Sequence, residues 1–118
     1  MNERAREPLA VFQYQSPNDT TFIVAVQQPE EIDGYQLRLS TVVPGSKQIR
    51  HDYPVQTYET QAAALAGAED FIEQLSTRFR DGSLSRDSPS IEATQAAVRD
   101  FADHRPFPLF RRLVRILS

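Results

Sequence analysis

Each of the two histidines stands beside an acid, in His51-Asp52 and Asp103-His104. An imidazole with a carboxylate is the smallest unit that can begin a metal site or relay a proton. Successive residues on a strand point to opposite faces, so His51 and Asp52 cannot hold one ion together without a bend. Asp100 and His104 are four apart and share a face if helical, which is a two-ligand spacing, but no third ligand is signposted. Both pairs therefore predict capping or surface roles, with no metal site and no catalytic histidine.

Nucleophilic and phosphate chemistry find no better footing. Serines cluster at 83, 85, 88 and 90 in a polar stretch, and no Gly-x-Ser-x-Gly elbow exists. The four glycines, at 34, 45, 67 and 82, are too scattered to build a phosphate loop. The absence of cysteine removes disulfides, thiolate metal sites and thiol nucleophiles. No cofactor and no small-molecule substrate are implied, and the expectation is a protein that is not an enzyme.

Binding chemistry is better represented. Arg38, Lys47, Arg50 and Tyr53 gather in the predicted sheet region, with Tyr14 and Tyr35 nearby in sequence. Cations interleaved with rings on a sheet face suit single-stranded nucleic acid, whose bases stack on aromatic platforms. A four-stranded meander followed by a helix is similar in outline to Whirly-like single-strand binders, although no motif of that family is present. Thirteen basic against sixteen acidic residues give a net charge of −3, which opposes a general polyanion binder.

The last stretch, 108–118, is apolar on one side and basic on the other if helical. Leu109, Phe110, Leu113, Val114, Ile116 and Leu117 occupy about 160° of the wheel, and Arg111, Arg112 and Arg115 lie opposite. Such a helix can close a core, dock on a partner or a second copy, or lie on a membrane surface. Leu109, Phe110, Leu113 and Leu117, flanked by Arg111 and Arg112, are the partner contacts expected from this pattern.

The elements that must position these groups follow from periodicity. Segments 9–15, 20–28, 35–43 and 47–55 read as strands, with Ala10, Phe12 and Tyr14 on one side of the first and Tyr35, Leu37, Leu39, Thr41 and Val43 on one side of the third. The second is apolar on both faces at its centre, as a strand covered on both sides would be. Pro44-Gly45 predicts a tight turn with positive φ at the glycine, and Pro54 marks a sheet edge or an exit. Segment 57–82 is the strongest helix: Ala64, Leu65, Ala68, Phe71, Ile72, Leu75 and Phe79 fall in an arc of about 120°, with Thr57 as N-cap and Asp81-Gly82 as the stop. Glu69, Asp70 and Glu73 belong to its solvent face. Ser88-Pro89 opens a second helix running to about residue 103.

The expected fold is thus α+β: a four-stranded antiparallel β-meander with one long amphipathic helix packed on it, followed by two shorter C-terminal helices. Residues 1–82 form the sheet and helix core, and 83–118 the linker and two short helices of the same single domain. With 40% hydrophobic and 25% charged residues, the composition is that of an ordinary globular domain. MNERAREPLAVF lacks a signal-like apolar run, so the expected location is cytoplasmic. The leading functional expectation is a small accessory or protein–protein interaction protein, self-associating as a homo-oligomer. The alternative is single-stranded nucleic-acid binding through Arg38, Lys47, Arg50 and Tyr53.

Overall fold

A computed structural model describes residues 8–104, with the element order β1 (Ala10–Gln15), β2 (Thr21–Gln27), β3 (Tyr35–Val43), β4 (Ile49–Tyr58), α1 (Gln61–Asp81) and α2 (Ile91–His104). The strands form one antiparallel sheet in the order β1-β2-β3-β4, so β1 and β4 are its edges. The α+β meander expected from the sequence is therefore present, with two helices among the described residues. The third helix expected over 108–118 lies outside them, as do its contact residues Leu109, Phe110, Arg111, Arg112, Leu113 and Leu117.

Register explains which side of each strand is buried. Phe22, Val24 and Val26 of β2 lie opposite Thr41, Leu39 and Leu37 of β3, and Leu39 lies opposite Tyr53 of β4. All of these are buried on the side that α1 covers with Ala64, Ala68, Phe71 and Leu75. Arg38, Ser40 and Asp52 alternate with them and face the other way. No described element lies on that second face, so β2 is covered by a helix on one side and not on two. Its centre is still half-shielded, because Ile23 and Ala25 lie low between neighbouring strands.

The helix boundaries differ from expectation for a tertiary reason. β4 continues through Tyr58, where Thr57 pairs with Gln36 and Tyr58 with Tyr35, so Thr57 is strand. The N-cap of α1 is Thr60, in extended backbone, whose Oγ1 accepts from the Ala63 amide at 3.1 Å. Gly82 takes the left-handed C-cap position as expected. Likewise Ser90, not Ser88, caps α2, its Oγ accepting from the Ala93 amide at 3.0 Å. Gly45 does not take positive φ; residues 44–48 form a longer connection that does not demand it. Gly34 does, and a Cβ there would meet the Tyr58 carbonyl oxygen at 2.6 Å.

Pro54 sits inside β4, where an edge strand tolerates its missing amide. A bulge at Val55, opposite Leu37 and Arg38, shifts the phase, so Tyr53 is buried before it and Tyr58 after it, with Val55 itself buried. α2 packs on β4 and on α1, with Phe101 against Phe71 edge-on at 5.0 Å between ring centres. The serine-rich connector is anchored as well: Leu84 is buried, and the Asp87 carbonyl accepts from Asn18 Nδ2 at 3.0 Å and Thr20 Oγ1 at 2.9 Å. These bonds tie the connector to the β1–β2 turn.

Candidate functional site

The side chains with chemical potential do not converge. His51 lies opposite Thr41 on the α1 side and Asp52 on the open face, so they point apart as the strand period requires. Asp52 accepts from Ser40 Oγ at 2.5 Å and from Arg50 Nε at 3.1 Å. The Ser40 hydroxyl bond is the largest influence on the Asp52 carboxyl; burial opposes it, and the bond and charge of Arg50 and the charge of Arg38 add to it, so that the carboxyl is held below its ordinary range. Asp100 accepts from Arg78 Nη2 at 2.8 Å, an ion pair between the two helices. No cluster of three metal-ligating side chains exists among the described residues.

The four residues proposed from sequence for nucleic acid do not form one surface. Tyr53 is buried beneath the helices, whereas Arg38 and Arg50 belong to the open face. Arg38 Nη1 reaches Gln27 Oε1 at 3.5 Å, and Arg50 is held by Asp52 and Ser40. Lys47 is exposed in the β3–β4 connection. Across the open face, the register rows bearing Val11, Gln13, Ile23, Ala25, Arg38, Ser40 and Asp52 contain no aromatic ring.

β1 behaves differently from every other element. α1 lies mainly over β2, β3 and β4, and meets β1 at Tyr14, whose ring stands against Phe79. Four large apolar side chains in or beside this strand are exposed: Leu9 at 42%, Val11 at 50%, Phe12 at 37% and Tyr14 at 38%. Val11 belongs to the open face with Gln13 and Gln15, and Phe12 and Tyr14 to the helix side, so each face of the strand carries exposed apolar surface. Its outer edge has no strand partner among the described residues. The Ser16 amide donates to the Thr20 carbonyl at 2.8 Å, which places the hydrogen-bonded rungs on the even-numbered residues. The amides and carbonyls of Val11, Gln13 and Gln15 consequently turn outward.

The two sheet edges contrast. β4 carries Arg50, Asp52, Pro54 and a bulge, the devices by which proteins blunt an edge, and α2 packs against it. β1 reads AVFQYQ, with no charge, proline or bulge.

Beside β1, on the helix side, the gap left by α1 forms an open groove of about 530 Å³. Phe22 and Val24 floor it, Phe12 and Tyr14 form one wall, and Ile72, Leu75 and Phe79 form the other. Arg80 and Arg86, with Gln13 and Ser76, complete the lining. Phe79 stands 5.7 Å from the Tyr14 ring and 5.0 Å, edge-on, from Phe22. Arg86 Nη1 donates to Tyr14 Oη at 3.3 Å, across 72 residues of sequence. Period alone marks the apolar residues here, but Arg86 arrives through the connector's bonds to the β1–β2 turn and has no local signal.

Comparison with protein-family models, with curated protein sequences and with solved structures finds no match for the chain. No helix among the described residues is long and apolar enough to cross a membrane.

Proposed function

We propose that the protein is a small non-catalytic binding protein that works by accepting a polypeptide strand along the outer edge of β1, and that the strand is β1 of a second copy. The observation that carries this is the uncharged, unblunted edge of β1 with exposed apolar residues on both faces. An edge of that kind is a template for strand addition, and natural sheets ordinarily protect it. A two-fold axis beside β1 pairs the strand antiparallel with itself, so one patch serves both partners. Two four-stranded sheets then become one of eight strands, and Val11 is covered. The 108–118 segment, with Leu109, Phe110, Leu113, Leu117, Arg111 and Arg112, is proposed from its pattern as a second contact element.

Nucleic-acid binding through Arg38, Lys47, Arg50 and Tyr53 draws less support, because among the described residues the open face offers no ring for stacking and Asp52 holds one of its arginines. The test of the leading proposal is Val11→Lys, which places a charge on the edge strand without entering the core. Light scattering is expected to give twice the chain mass for the parent protein and the single chain mass for the variant, with thermal unfolding of the variant retained. A parent protein of single-chain mass at every concentration overturns the proposal.

A further inference from the structure

We propose that the groove between β1 and α1 is a binding site for a linear alkyl carboxylate of the fatty-acid class. The carboxylate rests on Arg80 and Arg86, and the chain runs past Phe79 toward Phe12 and Ile72. The site is distinct from the outward edge of β1, and the inference does not depend on self-association.

Three observations carry it. The groove's volume of about 530 Å³ falls in the range of small-ligand sites, roughly 300–1,000 Å³, which are apolar with a few placed polar groups. Its charge is gathered at one end, and Gln13 and Ser76 are the uncharged polar residues of the remaining lining. Tyr14 lies opposite Phe22 and against Phe79, which precedes Arg80 in α1, and Tyr14 Oη is bonded by Arg86, so both cations stand at this end. Two residues back along β1, Phe12 lies opposite Val24, and about two turns back along α1 lies Ile72; that end has no charged side chain in its lining. A linear amphiphile with one anionic head matches that placement of charge.

The third observation is the state of the two cations. Among the described residues neither Arg80 nor Arg86 forms an ion pair with a carboxylate. Arg80 donates to Thr77 Oγ1 at 3.3 Å and Arg86 to Tyr14 Oη, which steadies each guanidinium while leaving most of its five N–H groups for an anion. The chain's own 108–118 segment carries three arginines and no acidic side chain, so it offers these two cations no side-chain partner. A strand of a second copy has its backbone partners at the outward edge of β1, outside the groove.

The test titrates the full chain with decanoate, 1-decanol and decyltrimethylammonium, each below its micelle or solubility limit, following binding by calorimetry. Saturable one-to-one binding of decanoate is expected, with the cationic probe at least about tenfold weaker because its head meets the arginines. In the Arg80→Gln, Arg86→Gln double variant the preference for decanoate collapses while decanol binding is unchanged. Ile72→Glu abolishes binding of both decanoate and decanol, with the fold checked by circular dichroism. Absence of saturation by decanoate, equal affinity for all three probes, or a preference that survives in the glutamine variant overturns the proposal. So does decanoate binding that is lost as the chain associates, which would give the groove to a second copy. Saturation by an acidic apolar peptide where decanoate fails overturns it in favour of a peptide site.

Discussion

Gly67 lies in the interior of α1, where alanine is ordinarily favoured over glycine by about 1 kcal/mol. Here the sign reverses. A Cβ on Gly67 would overlap Tyr58 Oη and Cζ and stand 2.9 Å from Cε2, so the absent methyl is what allows the helix to lie on the end of β4. Gly67→Ala is expected to destabilise the fold by about 1–3 kcal/mol, the usual cost of overpacking, seen as a lower urea midpoint with unchanged slope. A raised midpoint would mean that the Tyr58 ring can vacate its place. Asp52 gives a second prediction at this scale. Its carboxyl is held below its ordinary value of 3.8, so its contribution is complete at pH above that value and is lost as pH falls through the lower folded-state value. With its side chain 40% exposed, that contribution is below about 1 kcal/mol. Thermal melts of Asp52→Asn should lie slightly below the parent at pH 6 and converge with it as pH falls through the lowered value of Asp52; a gap constant with pH would contradict the assignment. Of the residues in these two predictions, only Asp52 was legible from strand period, as facing away from His51. The Gly67–Tyr58 contact depends on how α1 crosses β4, which no local pattern encodes.

The elements themselves were largely legible, and their errors share one physical origin. The stripe Ala64, Ala68, Phe71 and Leu75 is buried as its spacing predicts, whereas Ile72 and Phe79 of the same stripe are half-buried because they border the groove. Thr57 and Thr60 are equally good caps by residue type, and pairing of Tyr58 with Tyr35 decides between them by keeping the chain in the sheet. The bulge in β4 has a comparable effect, since a phase shift within one strand defeats a strict alternation. Even so, Tyr53 is in phase with Val55, and that phase alone already assigns it to the buried side and away from Arg38. The connector is the largest departure: a polar run of serines reads as a loose linker, yet Leu84 is buried and the Asp87 carbonyl fastens it to Asn18 and Thr20. Long-range bonds of that sort, which also deliver Arg86 to Tyr14, leave no periodic trace.

At the scale of the whole molecule, a meander makes its first and last strands the edges, so the contrast between AVFQYQ and the proline- and charge-bearing β4 is available once the topology is known. The molecule is then asymmetric: one edge is blunted and packed by α2, while the other is bare, with a groove on one face and Val11 on the other. This asymmetry is what the proposed self-association uses. The most direct measurement is amide hydrogen exchange, followed residue by residue over a series of protein concentrations. The outward amides of Val11, Gln13 and Gln15 should exchange fast in dilute solution and become protected as concentration rises, while those of Phe12 and Tyr14, bonded within the sheet, stay slow throughout. Exchange at Val11, Gln13 and Gln15 that remains fast and independent of concentration would contradict strand addition at β1.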